Sequence, residues 1–165
     1  MWKADGFLKN GETDVPFALK RLAELIRTTT ESYRAFSSIE LLAQPAPGKW
    51  SKQQILGHLI DSAINNLKRF TDAQITEEPY VITSYRQDEL MEVNHYQNLP
   101  VEHLLNLWQS INQQIIFVAE RIPESKLAYP IAPQYEKTGV KTLGWLICDY
   151  VAHMEHHLHT IPIIP

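Results

Sequence analysis

Ser51-Lys52-Gln53-Gln54-Ile55-Leu56-Gly57-His58-Leu59-Ile60-Asp61-Ser62-Ala63 opens the segment on which the fold turns. Ser51 followed three residues later by Gln54 is a capping box: the hydroxyl takes the Gln54 N–H, and the Gln54 side chain reaches back to the Ser51 N–H. Leu56, Leu59, Ile60, Ala63, Leu67 and Phe70 then recur at spacings of three and four, which predicts a helix from Ser51 to about Ala73 with one buried face. More than two dozen residues separate its end from the next apolar stripe, near Pro100. That is too long for the short loops joining antiparallel neighbours in a simple bundle. A long crossover that leaves the second and third helices parallel is the natural reading.

Three other helices accompany the one that opens at Ser51. The first opens at Thr13-Asp14-Val15-Pro16, where Thr or Asp caps and Pro suits the first turn, and its stripe of Leu19, Leu22, Leu25 and Ile26 fades near Phe36. The third begins near Pro100 with Leu104, Leu105, Trp108, Ile111, Ile115, Phe117 and Val118, and ends before Pro123. The fourth starts at Thr142 and runs until Pro162 stops it. The link from Pro123 to Lys141 carries Pro130, Pro133 and Gly139 and is long enough to roof a site. Strand signals are weak, with Tyr80-Val81-Ile82-Thr83 the best candidate. The expected fold is all-α, a four-helix bundle with a long crossover between helices two and three, forming one domain over residues 1–165.

Composition narrows the function classes. The 165 residues hold 44% hydrophobic residues and carry a formal net charge of −4. Lys and Arg do not cluster, which argues against a nucleic-acid partner. The lone Cys148 excludes an internal disulfide and any Cys-rich metal cage. No secretory leader and no membrane-spanning stretch is visible, so a soluble cytoplasmic protein is expected. The odd feature is seven histidines, four of them within residues 153–159.

In His153-Met154-Glu155-His156-His157-Leu158-His159, a helix places His157 about 40° from His153 on one face. Ile147, Val151, Met154, Leu158 and Ile161 mark the core side, which puts His153 and His157 at its border, while His156 and His159 turn toward solvent near Glu155 and Cys148. Two imidazoles one turn apart can share a metal ion. The protease form of this motif has Glu directly after the first His, where this chain has Met154. Taken alone, the pair fits surface histidines near a helix C-terminus at least as well.

A third imidazole changes the balance. His58, Asp61, Ser62, Asn65 and Arg69 form a polar stripe on helix two. Such a stripe fits a solvated face, but it lacks the Glu and Lys usual there, and it fits a wet cleft equally. If His58 meets His153 and His157, three imidazoles leave coordination positions open for water or substrate. Asp61, one turn along, can orient a ring, bind the ion or act as general base.

These residues carry a resemblance. Trp50-Ser51 followed by Ile55-Leu56-Gly57-His58-Leu59-Ile60-Asp61-Ser62 resembles the second-helix motif of DinB/YfiT-like proteins. Thr142-Leu143-Gly144-Trp145 leading to His153-x-x-His156-His157 is similar to their fourth-helix motif, and the Ser84-Tyr85 connection and the helix from Pro100 match as well. The resemblance spans nearly the whole chain. It implies a four-helix bundle with a long crossover, a divalent metal ion (zinc or nickel) held by His58, His153 and His157, and frequent homodimers. It also implies a small-molecule substrate, acted on by a metal-dependent hydrolase or by an S-transferase using a low-molecular-weight thiol. A non-catalytic binder or stress-linked interaction module on the same bundle is the alternative. Many members carry Gln or His three residues beyond the last ligand, where this chain has Thr160, so a proton relay there is not carried over.

The remaining candidates divide between packing and function. Trp50 reads as a hydrophobic staple, with substrate stacking as the lesser reading, and Trp108 and Trp145 read as core. Cys148 is expected to be an inert, buried or half-buried thiol. Asp149, one turn before His153, is either a hydrogen-bond acceptor for a ligand imidazole or a surface carboxylate. Arg69 is expected to be solvated rather than to hold an anionic substrate. Tyr129 and Tyr135 lie in the last long connection, and the apolar tail Ile161-Pro162-Ile163-Ile164-Pro165 is expected to pack on the bundle or across a dimer.

Overall fold

A computed structural model describes residues 7–9, 12–77, 79–133 and 141–161. Tyr135, Gly139 and the tail from Pro162 onward lie outside the described residues. A two-stranded hairpin, β1 (Leu8–Lys9) and β2 (Glu12–Thr13), precedes α1 (Val15–Ala35) and the short α2 (Ser38–Leu42). Then come α3 (Lys52–Ile75), β3 (Tyr80–Ile82), α4 (Gln87–Val93), a 3-10 turn (Tyr96–Asn98), α5 (Val101–Ala119), α6 (Glu124–Leu127), β4 (Pro130–Pro133), β5 (Lys141–Thr142) and α7 (Leu143–His159). The four long helices α1, α3, α5 and α7 are the four expected.

Their starts follow the caps in the sequence. Asp14 Oδ1 accepts from the Phe17 N–H at 3.0 Å, and Thr142 Oγ1 accepts from the Trp145 N–H at 3.1 Å. At the start of α3 both halves of the capping box form, with Ser51 Oγ accepting from Gln54 N at 3.1 Å and Gln54 Oε1 from Ser51 N at 3.0 Å.

Long-range hydrogen bonds give the helix directions. Gln53 Nε2, in the first turn of α3, donates to the carbonyls of Tyr96 and Leu99 at 2.7 and 2.9 Å, just before α5 begins. Tyr129 Oη, beyond the end of α5, donates to the Thr76 carbonyl at the end of α3 at 2.7 Å. Helices α3 and α5 therefore run parallel, as the length of their connection requires. The Tyr33 hydroxyl, near the end of α1, donates to the Lys52 carbonyl at 2.8 Å, so α1 runs the other way. Thr13 and Val15 approach Gly144 at one end of α7, while Tyr33 and Phe36 share a groove with Leu158 and Ile161 at the other, so α7 is parallel to α1. The start of α3 thus lies beside the end of α7.

Leu22, Leu56, Leu59, Ile60, Leu104, Leu105, Trp108, Ile115, Ile147 and Val151 are the buried centre of the bundle. The all-α expectation needs one addition, a three-stranded sheet in the order β3-β4-β5. Its first strand falls on the Tyr80 segment and pairs parallel to β4, and β4 pairs antiparallel to β5. The sheet ties the crossover to the last connection, with Ile131 fully buried between the prolines of β4.

Several faces differ from the helical wheel. Phe117 is 54% exposed, with the Arg121 guanidinium stacked over its ring at 3.7 Å, because it falls off the line of Trp108, Asn112, Ile115 and Ala119. Cys148, placed by the wheel beside the solvated histidines, is fully buried where α7 is enclosed, and burial pushes its thiol up to about 12, as befits an inert sulfur. Glu155 is half-buried and accepts from Arg21 Nε of α1 at 2.8 Å. His156 is half-buried rather than solvated, whereas His159 is exposed.

Candidate metal centre

The polar stripe of α3 faces inward. His58, Asp61 and Ser62 are 2%, 4% and 2% exposed. The solvated-face reading of these three residues is therefore overturned: α3 is covered here by α5, by α7 and by the crossover. His58 stands near the start of α3, and His153 and His157 stand in the last turns of α7, so the opposed directions of the two helices bring them together.

One ligand atom from each of the three imidazoles lies within 4.8 Å of the other two. His58 Nε2 and His153 Nε2 are 3.2 Å apart, and the ring centroids are 4.6 Å apart for both His58–His157 and His153–His157. Two ring nitrogens at nitrogen–metal distances of about 2.0–2.1 Å in a tetrahedral site lie about 3.3 Å apart, so the spacing suits a divalent ion. Burial holds the rings neutral: it pushes His58 down to about 4 and His153 down to about 3, with His157 adding to both, and it lowers His157 as well. A neutral imidazole keeps the lone pair that a metal needs.

Asp61 is held by the crossover. Its Oδ1 accepts from the Tyr96 hydroxyl at 2.6 Å and from Asn94 Nδ2 at 3.0 Å. Its Oδ2 is buried and has no hydrogen-bond partner among the described residues. Burial raises the Asp61 carboxyl above the usual carboxylate range, and the bonds from Tyr96 and Asn94 pull the other way. Tyr96 reaches this position because residue 57 is Gly: a Cβ there would collide with Cγ and Cδ2 of the Tyr96 ring.

Trp50 is not merely a staple. Its ring packs on His58, with centroids 5.0 Å apart and planes tilted by 41°, and so covers one face of that imidazole. Thr160 donates from Oγ1 to the His157 carbonyl at 2.7 Å and closes α7 behind the last imidazole. Asp149 is half-buried within electrostatic reach of Arg69. Arg69 is itself half-buried, contrary to the expected solvation, because the Thr83–Tyr85 segment lies across it. A cavity of about 1060 Å³ lies at the far end of α7 against Trp145 and holds none of the histidines.

Tyr96 and Asn94 were invisible to sequence reasoning as site residues, since nothing marks which crossover side chain turns inward. One signal was available. A glycine inside a strong helix former costs about 1 kcal/mol against alanine, so Gly57 announces a close approach.

The sequence matches the DinB superfamily over residues 21–161. The chain belongs to the DinB superfamily. Among DinB relatives, the Oceanobacillus iheyensis protein named "Putative metal-dependent hydrolase OB0413" is 25% identical over 150 residues, covering 91% of this chain and 84% of its own. The fold is similar to that of YfiT from Bacillus subtilis, described as "a probable metal-dependent hydrolase with an unusual four-helix bundle topology", at a TM-score of 0.81 and 18% identity, over 93% of this chain and 88% of that one. It is similar as well to the mycothiol-dependent maleylpyruvate isomerase, at a TM-score of 0.73 and 12% identity, over 99% of this chain and 65% of the isomerase. This DinB chain thus shares a bundle architecture with both. No helix among its described residues is long and apolar enough to cross a membrane.

Proposed function

We infer that this chain is a metal-dependent enzyme acting on a small molecule, with a divalent ion, zinc or nickel, held by His58, His153 and His157. The observation that carries the reading is the meeting of three neutral imidazole nitrogens within 4.8 Å, drawn from opposed ends of two helices. Three protein ligands among the described residues match the pattern of a catalytic rather than a structural zinc site. Bound there, the ion would supply Lewis acidity and make a water or a thiol nucleophilic near neutral pH.

The chain's own groups have separate tasks in this reading. Trp50 fixes the His58 ring and keeps water from its face. Asp61 is the general base: its Oδ2 is open to accept a proton, while Tyr96 and Asn94 hold Oδ1 in place. A raised carboxyl pKa suits that duty, because it makes proton capture more favourable.

The name shared by its relatives favours hydrolysis, and the likeness to the mycothiol-dependent isomerase favours transfer of a low-molecular-weight thiol as the second reading. A screen of metal-loaded protein against esters, amides and thiol–electrophile pairs separates the two. Turnover that a chelator abolishes and that Asp61→Asn lowers at least tenfold is expected. Metal-loaded protein that turns over nothing in either panel would instead favour the non-catalytic binder.

A further inference from the structure

Five of the chain's arginines pair with glutamates: Arg21 with Glu24 and Glu155, Arg27 with Glu31, Arg34 with Glu102, Arg86 with Glu89, and Arg121 with Glu120. Arg69, the remaining one, has no carboxylate within ion-pair distance among the described residues, and it is half-buried. Its contacts are with neutral groups. Nη1 donates to Asn66 Oδ1 at 3.3 Å, Nη2 donates to the Thr83 carbonyl at 2.8 Å, and the guanidinium carbon stands 5.7 Å from the centre of the Tyr85 ring. A partly desolvated cation without a counter-ion is costly unless something anionic arrives to pair with it.

Its position suits the candidate metal centre. Long helical side chains lean toward the helix N-terminus, and the bond to Asn66 puts the guanidinium level with that residue. That level is about 12 Å along α3 from His58 at the helical rise per residue. Ser62, 2% exposed, stands between these two levels on α3, and the Tyr85 ring lies beside the guanidinium. Asp149 of α7, one turn before His153, acts on Arg69 from beyond ion-pair distance and offsets part of its charge.

We propose that Arg69 is the anion-binding arm of this site, taking the carboxylate of a small molecule whose reacting end lies at the three imidazoles. The assignment rests on the metal-centre reading above. It adds a substrate class to that reading: an elongated molecule with a nucleophilic or electrophilic head and an anionic end roughly 12 Å away, at the helical rise per residue.

Isothermal titration of zinc-loaded protein with mercaptooctanoate, its neutral analogue mercaptooctanol, and the short mercaptoacetate tests this. Mercaptooctanoate is expected to bind about tenfold tighter than mercaptooctanol, as a hydrogen-bonded charge pair warrants. Arg69→Gln should erase that margin, Arg69→Lys should keep part of it, and mercaptoacetate should be indifferent to both changes. Equal binding of acid and alcohol to the wild type, or an equal loss for both in Arg69→Gln, would overturn the proposal and leave Arg69 a clamp on the Thr83 carbonyl. If no thiol binds, or if binding survives His58→Ala, it is the metal-centre reading that fails. The anion site is then decided by octanoate alone, whose heat of binding must disappear in Arg69→Gln.

Discussion

Gly57 lets the ring of Tyr96 lie directly on the backbone of α3, one residue before His58, in space that any side chain at 57 would fill. The contact seats the crossover on the helix that carries His58 and Asp61, and it brings the Tyr96 hydroxyl to Asp61 Oδ1. Gly57→Ala should gain the intrinsic helix preference of Ala, about 1 kcal/mol, yet lose more through the clash, since ring carbons attached to the chain cannot simply swing aside. A net destabilisation of about 1–3 kcal/mol in urea unfolding is expected. An alanine variant as stable as the parent would refute the packing described.

Tyr96→Phe keeps the ring and removes the hydrogen bond to Asp61. A bond to an ionised group contributes about 1.5–3 kcal/mol, so stability should fall by a comparable amount above the carboxylate range. The lost donor favoured the ionised carboxyl, so the Asp61 pKa should rise further. In an active preparation, the acid limb of the rate profile should move to higher pH. A profile that stays in place would remove Asp61 from the reaction.

Trp50→Ala should leave the fold intact but free the His58 ring. Residues that orient a ligand imidazole commonly alter metal affinity by about 10–100-fold, and a loss near the lower end is expected from competition with a chromophoric chelator. Unchanged affinity would return Trp50 to a packing role alone.

Metal-free protein should lose stability as the pH falls from about 6.5 toward 4, because the unfolded chain then binds protons that buried His58 and half-buried His153 refuse until about 4 and about 3. Above about 6.5 these rings are neutral in both states and contribute no slope. Asp61, with its carboxyl raised, works in the opposite sense, favouring the fold at low pH. Denaturation midpoints measured across this range, with and without zinc, should show the slope steepen when metal is present, since protons then also compete with the ion. A flat profile would mean that the imidazoles are not buried as described.

Much of this architecture was legible because local rules sufficed. Ser51 with Gln54, Asp14 and Thr142 mark helix starts through bonds within one turn, and the length between Ile75 and Val101 forces the crossover. The histidine spacing on α7 needed only helical periodicity. What stayed hidden depends on neighbours. A wheel drawn for α3 alone leaves both readings of His58, Asp61 and Ser62 open, and only the crossover and α7 together bury them. The same blindness concealed Tyr96, the desolvation of Arg69 and strand β4, whose prolines read as a loop until β3 and β5 flank them.

The central claim is that His58 shares one ion with His153 and His157 although 95 residues separate it from the nearer of the two in sequence. Equilibrium zinc binding by untagged protein, for the wild type and for His58→Ala, tests it most directly. One ion per chain, with at least a hundredfold weaker binding in the variant and an unchanged helical spectrum, is the predicted result. Equal affinity and stoichiometry in the two proteins would contradict it.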